Sequence, residues 1–169
     1  MSGTPLAVSA VCGGDLALYA DGSYIGNTSS PTVFSTSVPG DTSVLAVSCE
    51  VGQGNTGILL STSSGVASDN SWLCSDTVTG HDWTEEVFDD TAWQQADQQG
   101  QNNLGEHRQI GPYAHWVWLG SSSPLFCRKT ISSSQDKSVT QFVASVDDCA
   151  MRCLLGSVCD MFHIRYTLL

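Results

Sequence analysis

Residues 15–27 read DLALYADGSYIGN, and this stretch decides the fold. Leu16, Leu18 and Ala20 alternate with Ala17 and Tyr19, the period-two pattern of a strand with one face buried. Asp21-Gly22 then interrupts the run with the dipeptide that accommodates positive φ most cheaply, and SYIGN resumes it, so the segment predicts a tight hairpin. Working outward, the same short runs recur as PLAVSAVC (5–12), TVFSTSV (32–38), SVLAVSCE (43–50), TGILLST (56–62), SWLCS (71–75), AHWVWL (114–119) and PLFCRKTI (124–131). No helical periodicity of useful length interrupts them, although FDDTAWQQA (88–96) is compatible with a single turn. Many short strands at this spacing predict a mainly β chain folded as a sandwich.

Composition narrows the class. The 169 residues carry 17 acidic and 6 basic side chains, a net charge of −11, which disfavours nucleic acid and anionic membrane surfaces as partners and tolerates calcium or a cationic partner. Charged residues make up only 14% of the chain and small polar residues abound, a mix common in secreted β-proteins. No run of 18 apolar residues predicts a membrane span. The amino-terminal MSGTPLAVSAVCGGD lacks the basic and long apolar regions of a signal peptide, so an extracellular location requires Met1 to open a fragment or a misassigned start. Seven cysteines without a CxxC pair or metal-ligand spacing read as a disulfide framework formed in an oxidising compartment. The odd number leaves one over.

Catalytic chemistry finds no footing in the sequence. His81, His107, His115 and His163 form no HxH or HExxH arrangement, no GxSxG elbow positions a serine, and CGGD and GQGNTG are neither GxGxxG nor a phosphate loop with its lysine. Asp89 and Asp90 are adjacent, and adjacent carboxylates seldom converge on one substrate; they are read as turn residues. The expectation is therefore a non-catalytic protein, with no required cofactor.

Residues 94–115, QQADQQGQNNLGEHRQIGPYAH, read as a long loop, and long ordered loops are frequently binding loops. His107, Arg108 and Tyr113 on it, with Trp83 on the preceding loop, supply the stacking face and hydrogen-bond donors that a sugar needs. Trp72, Trp93, Trp116 and Trp118 are assigned to the core, because aromatic residues within alternating strands usually fill it. Asn27-Thr28-Ser29 is an N-x-S/T sequon, placed after the strand SYIG in a Ser-rich loop where a glycan would project into solvent.

In SVDDCAMRCLLGSVCDMFHIRY (145–166), Ser145 to Asp148 resemble a helix start, and Cys149 and Cys153 fall four apart on one helical face, where they would not normally bridge each other. The segment resembles the opening of a PAN/apple domain, an extracellular recognition module with a disulfide-stapled helix. That resemblance implies a Cys153–Cys159 bond and a more distant partner for Cys149. The chain ends at Leu169 before such a partner, so Cys149 bonds another chain, stays a buried thiol, or has its partner in a longer protein.

The order of DLALYADGSYIG, SVLAVSCEVGQGNTGILLS, SDNSWLC, DWTEEVFDDTAW and HWVWL followed by FCRKTI resembles the galactose-binding-like jelly rolls found beside glycosidase domains and in lectin-like ectodomains. The resemblance implies such a β-sandwich at 1–132 and a partial apple-like α+β segment at 133–169. It also implies calcium held by scattered loop carboxylates, with Asp15, Asp21 and Asp69 as candidates. With the apple-like triplet set aside, the sandwich cysteines are expected to pair as Cys12–Cys49 and Cys74–Cys127. The function expected is extracellular recognition of glycans or glycoproteins; the alternative is a self-assembling structural module of a matrix, coat or filament.

Overall fold

The computed structural model describes residues 4–51, 57–102, 107–120 and 123–131. These fall in the first of two units, Met1–Ser132; the apple-like segment, with Cys149, Cys153, Cys159 and His163, lies outside the described residues.

The alternating runs become β1 (Leu6–Cys12), β2 (Asp15–Ala20), β3 (Ser23–Ser29), β4 (Phe34–Val38), β5 (Val44–Glu50), β6 (Ile58–Thr62) and β7 (Leu73–Ser75). After a 3-10 turn at Asp82–Thr84 come β8 (Gln94–Gln95), β9 (Asp97–Gln101), β10 (His115–Trp118) and β11 (Leu125–Thr130). They form two antiparallel sheets, ordered β4-β1-β6-β10-β9 and β3-β2-β5-β11-β7-β8. Asp21 (φ 45°) and Gly22 (φ 80°) make the tight turn between β2 and β3, both in the left-handed region that the dipeptide admits. The Asp21 carboxylate accepts hydrogen bonds from the amides of Ser43 and Val44 and so fixes the start of β5 beside the hairpin.

The strand period sorts the side chains into layers. Val8, Ala10, Leu16, Leu18, Leu45, Val47, Ile58, Leu60, Val117 and Leu125 fill one core drawn from both sheets, together with Trp72, whose Nε1 donates to the Ala67 carbonyl at 2.8 Å. The intervening residues point away from that core, yet several are also buried. Val44, Ala46 and Arg128 are covered on the β5/β11 face, and Val11 and Leu59 on the β1/β6 face. The 3-10 turn packs on β5, while Ile110 and Ala114 close over Val11 and Leu59. Each sheet therefore carries a small second core under a connecting segment.

Along both sides of the sandwich the chain passes from one sheet to the other. β3 and β4 are the edges on one side; on the other, β8 runs into β9 through buried Ala96, whose amide donates to the Trp72 carbonyl at 2.9 Å. The expected loop at 94–115 is thus corrected: its first part is two polar strands, with every side chain of β8 and β9 exposed. Their edge position explains the missing apolar alternation, since neither face of such a strand is required to enter the core. FDDTAWQQA contains one hydrogen-bonded turn, closed by the Trp93 amide on the Asp90 carbonyl, and a 3-10 turn precedes it at Asp82–Thr84.

Among the described residues two disulfides form, and they are the pairs assigned within the sandwich. Cys12–Cys49 ties β1 to β5 across the two sheets (Cα–Cα 6.1 Å), and Cys74–Cys127 ties β7 to β11 at directly opposed positions (Cα–Cα 4.1 Å).

Candidate functional site

A cleft of about 390 Å³ opens where the chain crosses between the sheets at β8 and β9. Ser75 and Asp76 at the end of β7, Trp93 and Gln94 entering β8, Asp97 at the start of β9, and Leu119 and Gly120 after β10 line it. Trp93 stands on a platform of other aromatic side chains. Its ring stacks on Trp83 (centroids 6.1 Å apart, planes at 28°) and meets Phe88 edge-on at 5.6 Å. The turn that delivers Trp93 is closed by its own amide donating to the Asp90 carbonyl at 2.9 Å. Within that turn the Asp89 carboxylate accepts from the hydroxyl and amide of Thr91, at 2.7 and 3.1 Å. The hydroxyl bond, then the amide bond, hold the Asp89 carboxyl below the usual carboxylate range, so the turn is firmest above that range and loosens as the pH falls through the lowered value.

Arg128 anchors the same segment from beneath. Only 2% exposed, it donates from Nη1 to Asp90 Oδ2 (2.5 Å) and to the Phe88 carbonyl (3.2 Å), and from Nη2 to the Glu85 carbonyl (2.7 Å), while its guanidinium lies 5.3 Å from the Phe88 ring centre. Asp90 is thus an ion-pair partner and not only a turn residue. Replacing Arg128 with methionine keeps the volume but leaves two carbonyls and a carboxylate without their donor; the expected loss is about 2–3 kcal/mol, moderated because Asp90 still reaches water. Urea denaturation of the variant measures it.

The structure does not gather the sugar-binding residues expected from sequence into one site. Trp83 is 2% exposed, boxed in by Tyr19 (5.5 Å), Phe126 (5.2 Å) and Trp93 over the outer face of the β2/β5/β11 sheet. It is therefore a packing residue, with no free face for a ligand. His107, Arg108 and Tyr113 lie over the outer face of the other sheet: His107 is edge-on to Trp116 at 5.6 Å, the Tyr113 hydroxyl donates to the Thr62 carbonyl at 3.2 Å, and Arg108 is exposed. The sandwich stands between the two groups. Trp116 is half-buried against the second core on that face, and Trp118 against the main core.

The calcium candidates do not meet either. Asp15 and Asp21 occupy opposite ends of β2, roughly 20 Å apart at the rise of a strand. The carboxylate of Asp21 is engaged by the amides of Ser43 and Val44, and that of Asp69, between β6 and β7, by the amide and hydroxyl of Ser71. Among the described residues no three His, Cys, Asp or Glu side chains are grouped so as to hold a metal ion. Asn27 is exposed, but on edge strand β3 opposite Ala17 rather than in a loop after it, because the strand continues through Ser29.

The sequence pattern does not mark Trp93 as a cleft wall, since the strand-aromatic rule assigns it to the core. The signal was available: Trp93 follows the turn DDTA and precedes polar QQ, outside any alternating run, so the rule that strand aromatics point inward does not reach it. Among the described residues no helix is long and apolar enough to cross a membrane. Comparisons with family models, with curated proteins and with solved structures found no match.

Proposed function

We propose that this chain is an extracellular, non-catalytic recognition module, a galactose-binding-like jelly roll followed by the opening of an apple-like segment, and that it binds glycans in the Trp93 cleft. The observation that supports this reading is the make-up of the cleft: a fixed, half-buried indole beside a primary amide and two carboxylates. Sugars present an apolar face and a ring of hydroxyls, which an indole and planar polar groups complement. The volume is at the lower end for ligand sites, suited to one or two residues of a chain rather than a long polymer. Its support is rigid, because Trp93 is backed by Trp83 and its turn is held by Arg128.

A glycan array probed with the intact protein tests the reading. Binding is expected to fall at least about tenfold in Trp93→Ala, on the magnitude of lost stacking contacts, and in Gln94→Ala, where the exposed amide is removed without touching the aromatic packing. Incubation with the bound glycan should release no new reducing ends. Unchanged affinity in both variants would place the sugar elsewhere.

One observation favours the rival reading, a self-assembling structural module. Residues 22–40, which include two of the edge strands, β3 and β4, contain no charged side chain in a chain of net charge −11. Edge strands of monomers usually carry charges that discourage pairing with another chain. Sedimentation of the intact protein with and without Ser35→Lys on β4 distinguishes the readings: a self-assembling module dissociates on this change, whereas a monomeric lectin is indifferent to it.

A further inference from the structure

We infer that the Trp93 cleft selects sugars bearing a free, protonated amine, such as oligosaccharides of glucosamine, over neutral, N-acetylated or acidic ones. The inference rests on the glycan reading of the same cleft and adds the chemical class of the ligand. Its ground is the sign of the charges in the wall. Among the described residues, Asp76 and Asp97 line the cleft, and no Lys, Arg or His does. Arg128 and Lys129 of β11 are committed to other partners: Arg128 to Asp90, and Lys129 Nζ to the hydroxyl and carbonyl of Ser71.

Three attractions act together on an ammonium. A carboxylate receives it in a charge-assisted hydrogen bond, stronger than a bond between neutral groups. The indole face attracts the same cation through its quadrupole while stacking on the sugar ring that carries it. The overall charge of −11 adds a field that draws cations and repels the carboxylates and sulfates of acidic glycans. An N-acetyl group forfeits all three, since it is neutral. Asp97 is exposed, and among the described residues its carboxylate accepts one long hydrogen bond, from the Gly120 amide at 3.5 Å, which leaves it room for a ligand.

The test is calorimetric titration of the intact protein with the tetramer of glucosamine, the tetramer of N-acetylglucosamine and cellotetraose. The glucosamine tetramer is expected to bind at least about tenfold more tightly than either of the others, a preference that shrinks as salt is raised because the charges are partly solvent-exposed. Asp97→Asn, which preserves shape, should erase the preference, and Trp93→Phe should weaken all three sugars together. Equal or tighter binding of a neutral tetramer, still dependent on Trp93, overturns the amine inference and leaves the glycan reading standing. Failure of all three to bind at millimolar concentration overturns both. A preference for the glucosamine tetramer that survives Asp97→Asn and Asp76→Asn also overturns the inference, since the charge would then be read by other groups.

Discussion

Trp83→Ala is expected to destabilise the domain by about 3–5 kcal/mol, the range for removing a buried indole whose surroundings cannot collapse to fill the space. The ring is enclosed by Tyr19, Phe126 and Trp93 on a turn that packs on β5, so truncation leaves both a cavity and an unsupported Trp93. For a domain of this size the melting temperature should drop by about 10–20 °C. Chemical denaturation followed by tryptophan fluorescence gives the number directly. A change below about 1 kcal/mol would mean that the indole is not packed as described and would return Trp83 to the surface, where a sugar could reach it. The variant is also informative for the cleft: glycan affinity measured well below its melting temperature should fall because Trp93 loses its backing, although Trp83 itself touches no ligand.

Removing the bond between the sheets should have an effect of similar size. The Cys12→Ala, Cys49→Ala double variant frees a loop of 37 residues in the unfolded chain, for which chain-entropy reasoning gives about 4 kcal/mol. β1 and β5 belong to different sheets and share no backbone hydrogen bonds, so the covalent link is the direct tie between them at that end of the sandwich. The urea midpoint should shift to lower concentration. An unfolding free energy within about 0.5 kcal/mol of the parent would show that the unfolded chain is already restricted there by residual structure.

How far the sequence could be read followed from the range of the interactions involved. The hairpin at Asp21-Gly22 and the inward sets Leu16/Leu18 and Leu45/Val47 were legible because turn chemistry and period-two burial are local. The cysteine pairs of the sandwich could be assigned once strands were placed. β8 and β9 were not legible: QQADQQGQ has no apolar alternation, and only the edge position of these strands makes that tolerable. Arg128 looked like any outward residue of FCRKTI. Its burial arises from residues about 40 positions earlier in sequence folding over it, a contact that no local pattern announces. The same covering segment removed Trp83 from the surface and set Trp93 at the cleft. The candidate site was therefore the least legible part, because a connection without regular structure builds it.

The two disulfides also set how far the domain can lengthen under tension. Each closes a covalent loop, spanning 37 and 53 residues of chain, that force applied between residues 4 and 131 cannot straighten. Fully reduced, that stretch of backbone would extend to roughly 430 Å; with both bonds intact only the segments outside the loops lengthen, to roughly 130–140 Å. An unfolding event under load would thus release less than a third of the available chain, and the remainder would be held in reserve until a reductant reached the sulfurs. In a setting where the chain bridges surfaces that pull apart, the cysteines would act as a limit on travel as well as a source of stability.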